Sequence, residues 1–196
     1  MRKLILIKHA SPFVLPGTPP ERWKLSDKGK ASCIPLAEAL RPHAPAIIVA
    51  SEEPKAHETG QLVAEHLGLS ADTAAGLHEH DRSNVPHMRS GEFISHMELF
   101  FRRPRELVLG KETAEQAAER FASAVEQVLA RHAEANVAIV SHGTVIALFA
   151  ARHGAENPFA LWRRMGLPSF IVMSPPDYRI ESVAERVADP APPPPP

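Results

Sequence analysis

Cysteine is nearly missing from this chain of 196 residues: Cys33 stands alone. No intramolecular disulfide can form, and a single thiol fits a reducing compartment. Net charge is missing too. The balance of 22 Lys and Arg against 23 Asp and Glu is −1, which gives no electrostatic case for nucleic acid or an anionic membrane surface. Long apolar runs are also absent. Met1-Arg2-Lys3 precedes Leu4 to Ile7, but so short a run before Lys8 cannot be the core of a signal peptide. No segment approaches the roughly 20 apolar residues of a membrane span. No repeat is found. What remains is a soluble chain, expected in the cytoplasm, whose length suits one domain with a sizeable core. Its hydrophobic content of 44% and charged content of 23% are ordinary for that class. The length leaves the number of subunits open, a homodimer included.

What is present begins with Leu4-Ile5-Leu6-Ile7-Lys8-His9-Ala10. A short continuous apolar run reads as a strand buried on both faces, as in a parallel sheet. Ligands of open α/β sheets lie just beyond the carboxyl ends of such strands, where Lys8 and His9 stand. A second unit of the same kind is Val137-Ala138-Ile139-Val140-Ser141-His142-Gly143. With 11 histidines in the chain, one alone carries little weight. Two delivered by buried strands can share one crevice.

Between and after these units the chain alternates strand and helix. The first strand is expected at 3–8. Residues 11–22 hold Pro12, Pro16, Gly17, Pro19 and Pro20, a density of breakers that predicts irregular loop. Ser26 is a good N-cap for a helix to about Leu40, and Pro35 inside it predicts a kink or a later start. A strand at 46–50 and a helix at 54–67, stopped by Gly68, follow. A weaker strand is expected at 73–77. Residues 82–112 fit no βα rhythm. They read as a partly helical, cap-like insertion over the crevice, carrying Arg82, Arg89 and Arg102, with Phe93, Met97, Phe100 and Phe101 as its core stripe. Thr113 and Gln116 form a capping box opening an amphipathic helix at 114–133. After strand 137–141 come a helix to about Arg152 and a short helix from Pro158 to Arg164. A hairpin of 169–173 with 178–183 ends the domain at 187, its second strand at the sheet edge. Residues 188–196 are a proline-rich tail, expected disordered or in polyproline II.

Taken in order, strand–Lys8-His9-Ala10, Leu25-Ser26-x-x-Gly29, Ser51 through Lys55-Ala56-His57-Glu58-Thr59, Leu77-His78-Glu79 and strand–Ser141-His142-Gly143 resemble the histidine phosphatase superfamily, also called phosphoglycerate mutase-like. The resemblance covers about residues 3–175. It implies an α/β fold, a three-layer αβα sandwich on a mostly parallel sheet with an antiparallel edge strand, and phosphoryl transfer through a phosphohistidine. Carried onto this chain, His9 is the nucleophile. Lys8, Lys55 and His142 hold phosphoryl oxygens, and Glu79, its pKa raised by a covered cleft, protonates the leaving oxygen. Gly143 opens a helix whose backbone N–H adds to the anion site. Ser11 is the candidate for a polar phosphate contact, and Arg82 for extra substrate charge.

The chain departs from the family where two arginines of the pattern are Lys8 and Lys55, and where Ala10 replaces glycine. Lysine is a compact point charge without arginine's bidentate grip, so weaker phosphate binding and slower chemistry are expected. The preferred reading is a metal-independent phosphomonoester hydrolase for a small phosphorylated metabolite, with no cofactor, no metal, no nucleic-acid partner and no membrane partner. The alternative is a catalytically weak or inactive member that binds phosphate ligands. A phosphoglycerate-type mutase fits less well, because the extra segments of such enzymes are not found. The cluster His78-Glu79-His80-Asp81 also admits a metal reading. On a strand or loop, however, alternate residues point apart, so the two histidines would face away from Glu79; Asp81 is the substitute acid if Glu79 faces away.

Overall fold

The computed structural model describes residues 2–86, 88–155 and 157–187; the proline-rich stretch 188–196 lies outside them. Six strands form one sheet in the order β3-β2-β4-β1-β5-β6. They are β1 (Leu4–Lys8), β2 (Ile47–Ala50), β3 (Ala71–Thr73), β4 (Val137–Ser141), β5 (Ser169–Ser174) and β6 (Arg179–Ala184). The first four are mutually parallel. β5 runs antiparallel to β1, and β6 antiparallel to β5. The helices are α1 (Asp27–Leu40), α2 (Pro54–Leu67), α3 (Ser90–Arg102), α4 (Ala114–Arg131), α5 (Gly143–Arg152) and α6 (Pro158–Arg164).

The two-residue alternation of strand side chains divides the core into two clusters. Ile5, Ile7, Ile48, Ala138, Val140, Phe170 and Val172 face α1 and α2. Leu4, Leu6, Val49, Val137, Ile139, Ile171 and Met173 face α4 and α5. Both faces are covered, which makes the three layers and explains why β1 and β4 are apolar without a break. β4 enters the sheet between β1 and β2, with Leu6 opposite Ile139 and Ile139 opposite Val49. The helix after β1 covers one face and the helix after β4 the other. The carboxyl ends of β1 and β4 therefore flank the point where the winding reverses, the place where such sheets bind ligands.

Three expectations need correction. The strand expected at 73–77 is Ala71–Thr73: β2 offers partners only through Ala50, and a turn with Gly76 at φ +83° takes the chain off the sheet. The loop 11–22 contains a single 3-10 turn at Pro20–Arg22. Pro35 does not delay α1, which starts at Asp27 with Ser26 accepting from the Gly29 N–H. Ala31, whose carbonyl loses its helical partner to the proline, is exposed.

The insertion contains α3. Met97 and Phe100 are fully buried and Phe101 nearly so, while Phe93 and Phe101 meet Trp162 of α6 edge-on or tilted. The aromatic stripe is thus core, docked onto α6. Among the described residues no helix is long and apolar enough to cross a membrane.

Candidate active site

His9 leaves β1 with its N–H on the Ser141 carbonyl at 3.0 Å. The next N–H, of Ala10, donates to Thr59 Oγ1, whose hydroxyl donates to the Lys55 carbonyl at 2.7 Å. Backbone and α2 thus fix the turn before any side chain acts. The His9 Nδ1 lies 2.7 Å from the Ala10 carbonyl. A carbonyl only accepts, so Nδ1 carries the proton and Nε2 keeps its lone pair. Burial, then the charge of Lys55, lowers the His9 pKa to about 3, leaving a neutral imidazole at any ordinary pH.

His142 follows β4 and is the N-cap residue of α5, without a side-chain capping bond. Its ring meets that of His9 edge to face at 5.2 Å between centroids. Its Nε2 is 3.0 Å from Ser51 Oγ, and its Nδ1 is buried with no partner. Burial, then Lys55, holds it well below the ordinary histidine range, so it too is neutral.

Glu79 comes from the loop after β3. Its carboxylate accepts from the His80 N–H at 2.9 Å and the Thr144 N–H, in the first turn of α5, at 3.3 Å. Burial pushes its pKa up, but Arg82 and these two backbone donors outweigh burial, and the net shift is downward. The expectation of a raised pKa is corrected on that ground. The helix terminus that was expected to serve an external anion already holds Glu79. Residues 78–81 are loop, and the two histidines do not face away from Glu79 there. His78 and His80 both line the cavity alongside Glu79, and the His80 ring packs tilted on Phe100 with its Nε2 on the Glu112 carbonyl. Among the described residues no three His, Cys, Asp or Glu side chains converge as a metal-ligand group.

A cavity of about 470 Å³ is lined by His9, His142, Lys55, Glu79, Arg82, His78 and Asp81, with Pro20 and Trp23 at its wall. Arg82 lies over the Phe93 ring at 5.1 Å, which anchors it to the insertion; Arg89 and Arg102 are exposed elsewhere. Lys8 and Ser11 are not among its lining residues. They face a neighbouring cavity of about 290 Å³ together with Lys28 and Arg186. The Lys8 ammonium donates to the Met165 carbonyl at 2.7 Å, and burial lowers its pKa to about 8 despite the charge of Glu79. Gly143 explains the path of Lys8, because a side chain at 143 would come within 3.0 Å of Lys8 Cε.

Two features were not read from the sequence. Glu53, at the turn between β2 and α2, pairs with Lys55 and accepts the Glu79 N–H at 2.8 Å. An acid two residues ahead of the basic residue, three residues past a strand, was the available signal. Arg120 of α4 donates to the carbonyls of Gly76, His78 and Glu79 and pairs with Glu112. Glu112 in turn accepts from the Asp81 N–H at 3.0 Å. Nothing in the pattern of α4 marked that arginine. The return of the insertion is close: Gly110 has φ +80°, and a Cβ there would lie 2.3 Å from the Asp81 carbonyl oxygen.

The family model of the histidine phosphatase superfamily (branch 1) matches residues 19–183. The chain belongs to the histidine phosphatase superfamily. The matched stretch begins after His9, so the Lys8-His9-Ala10 reading rests on sequence pattern and geometry. No curated protein sequence matches the chain. Among solved structures, mycobacterial glucosyl-3-phosphoglycerate phosphatase in complex with VO3 is similar, with a TM-score of 0.72 and 20% identity over 93% of this chain and 97% of that one. Phosphoserine phosphatase from Entamoeba histolytica in complex with 3-phosphoglyceric acid gives 0.74 and 16% over 94% and 97%. At such identities the likeness is one of fold. In chemical terms the cavity offers an unprotonated ring nitrogen, a held carboxylate, and cations at Lys55 and Arg82.

Proposed function

We propose that the chain is a phosphomonoester hydrolase that acts through a phosphohistidine on His9, with a small phosphorylated molecule as substrate. The carrying observation is the clamp of His9 Nδ1 on the Ala10 carbonyl, which leaves Nε2 as a free nucleophile in a cavity shared with Glu79, His142 and Lys55. In this reading Nε2 attacks phosphorus, the bond to the leaving oxygen breaks, and that oxygen takes a proton from Glu79. Water then attacks the phosphohistidine, Glu79 takes the water's proton, the P–N bond breaks and orthophosphate leaves. An imidazole nucleophile needs no metal for either step. Charge spread over the equatorial oxygens in the loose transition state is met by fixed cations.

Glu79 must carry a proton in the first step although it rests as a carboxylate. An approaching phosphate repels that carboxylate and raises its pKa, and a substrate entering as the monoanion brings the proton itself. This is why a lowered resting pKa is compatible with an acid role. The homology to phosphatases in the same superfamily supports the reaction class.

The test is phosphate release from an aryl phosphate, with chelator present, for wild type and His9→Ala. The variant is expected to lose about 10³-fold or more of the turnover, as removal of a nucleophile does, and only wild type should yield an acid-labile phosphoenzyme. Equal turnover in the two proteins overturns the reading. A second reading, a weak or inactive member that binds phosphate ligands, draws on the engagement of Lys8 by Met165 and of Lys55 by Glu53. Vanadate binding without turnover of any phosphoester would favour it.

A further inference from the structure

We infer that Glu53 is the resident anion of the phosphoryl seat, a specificity-determining carboxylate that a substrate's phosphoryl group must displace. The inference rests on the phosphoryl-transfer reading of the same cavity. The groups there that can hold anionic oxygens are the Arg82 guanidinium, the Lys55 ammonium, the Glu79 N–H and His142 Nε2. The two oxygens of Glu53 take the Lys55 ammonium and the Glu79 N–H and approach His142 Nε2, whose hydrogen-bond partner is Ser51 Oγ. Oε2 pairs with Lys55, Oε1 accepts the Glu79 N–H at 2.8 Å, and the same Oε1 lies 3.5 Å from His142 Nε2. The carboxylate therefore spans the positions that two oxygens of a phosphoryl group would span.

Among the described residues the Glu53 side chain makes no other hydrogen bond or ion pair. Glu53 precedes α2 as its N-cap, yet its side chain makes no capping bond. The bonds that hold the turn come from its backbone carbonyl, which receives the Ala56 and His57 N–H groups, and any residue could supply them. Lys55 also donates to the Pro20 carbonyl at 2.8 Å, so it keeps a partner when Glu53 leaves. The cavity of about 470 Å³ has room for an incoming phosphoryl group and a rotated carboxylate together.

Displacement has a measurable consequence. If the seat is open in only a fraction of molecules, the apparent dissociation constant for any anion is raised by the inverse of that fraction. The displaced carboxylate also stays tethered beside the site, where it repels a dianion more than a monoanion. Glu53 thus raises the threshold for free phosphate and for small phosphoesters that bring no binding energy of their own.

The experiment is a calorimetric titration of the full chain with inorganic phosphate, for wild type and Glu53→Gln, each also carrying His9→Ala. We expect Glu53→Gln to bind phosphate about tenfold tighter or more, with or without the nucleophile. Unchanged or weaker binding overturns the inference. A crystal structure of wild type with vanadate decides independently of how the variant folds. Vanadate on Lys55 and the Glu79 N–H with Glu53 turned away supports displacement. Vanadate bound with Glu53 still on Lys55, or no vanadate at saturation, overturns it. Because binding is read without turnover, failure of hydrolysis and failure of displacement are told apart.

Discussion

The histidines and the carboxylates of the cavity reach it by opposite means. His9 and His142 stand one residue beyond adjacent central strands, in a core where Leu4 to Ile7 and Val137 to Val140 are fully buried. Their positions follow from packing, which is spread over many contacts and tolerates little displacement. Glu79 and Glu53 stand on turns, and side-chain hydrogen bonds to backbone groups place them. For Glu79 these are Glu53 Oε1 on its own N–H, Arg120 on three carbonyls of its loop and Ser141 Oγ on the Leu77 carbonyl at 2.7 Å. The difference teaches where stability and chemistry separate. Damage to the sheet should cost folding free energy first, and damage to the loop should cost activity first.

The largest expected effect is on the sheet side. Ile139 is fully buried at the centre of β4, and Ile139→Ala should lower unfolding free energy by about 2–5 kcal/mol. Denaturant unfolding measures it, and turnover per folded molecule should stay within about threefold of wild type, since neither histidine depends on that side chain for a bond. A loss of turnover with little loss of stability would break the proposed division.

The mirror image is Arg120→Ala. It removes donors from the carbonyls of Gly76, His78 and Glu79 and leaves the Glu112 carboxylate without its ion-pair partner. Misplacement of a reacting group by about 1 Å can cost about 10²-fold, so kcat/KM for an aryl phosphate should fall by about that factor. The stability loss should be smaller, about 1–3 kcal/mol. Steady-state kinetics beside denaturant unfolding give both numbers. An undiminished kcat/KM would show that the loop holds Glu79 without this arginine.

The same division explains what the sequence disclosed. Strands β1, β2 and β4, the capped helices α1 and α4, and the pairing of His9 with His142 follow from local periodicity and caps, because each signal lies within one element. The strand at 71–73 was misplaced, since its length is set by where β2 stops. Arg120 and Glu53 were missed for a related reason. Arg120 acts across 41 to 44 residues, and a polar residue on an amphipathic helix carries no sign of such a partner. Lys8 was read as facing the phosphate, and its ammonium is on the Met165 carbonyl, a contact between residues 157 apart. Fold was therefore legible to the extent that it is local, and the site to the extent that the sheet delivers it.

A smaller effect separates the two regions by pH. The Lys8 pKa is lowered to about 8 by burial, so Lys8 is charged below that pH and neutral above it. His9 is neutral throughout, with its pKa near 3, and sets no limb in the working range. If the Lys8 charge assists anion binding, kcat/KM should fall about tenfold per unit above pH 8. The limb belongs to kcat/KM because a bound phosphate would raise the lysine's pKa in the complex. Lys8→Arg, which stays protonated, should remove that basic limb. A limb that persists in the variant assigns it to another group and takes Lys8 out of the charge balance of the site.

The smallest expected effect lies at the joint between the regions. Ser141 belongs to β4 but its hydroxyl holds the loop of Glu79 through the Leu77 carbonyl. Ser141→Ala leaves that buried acceptor unpaired, at a cost of about 1–2 kcal/mol in stability, with a loss of only a few-fold in kcat/KM while Arg120 still holds its three carbonyls. The informative measurement is the cycle with Arg120→Ala. Both residues restrain one loop, so removing the second restraint should cost more than it does alone, and the double variant should lose more kcat/KM than the product of the single losses. Strict additivity in kcat/KM would mean that sheet and helix position Glu79 independently, and that the loop has no free state for the two bonds to suppress jointly.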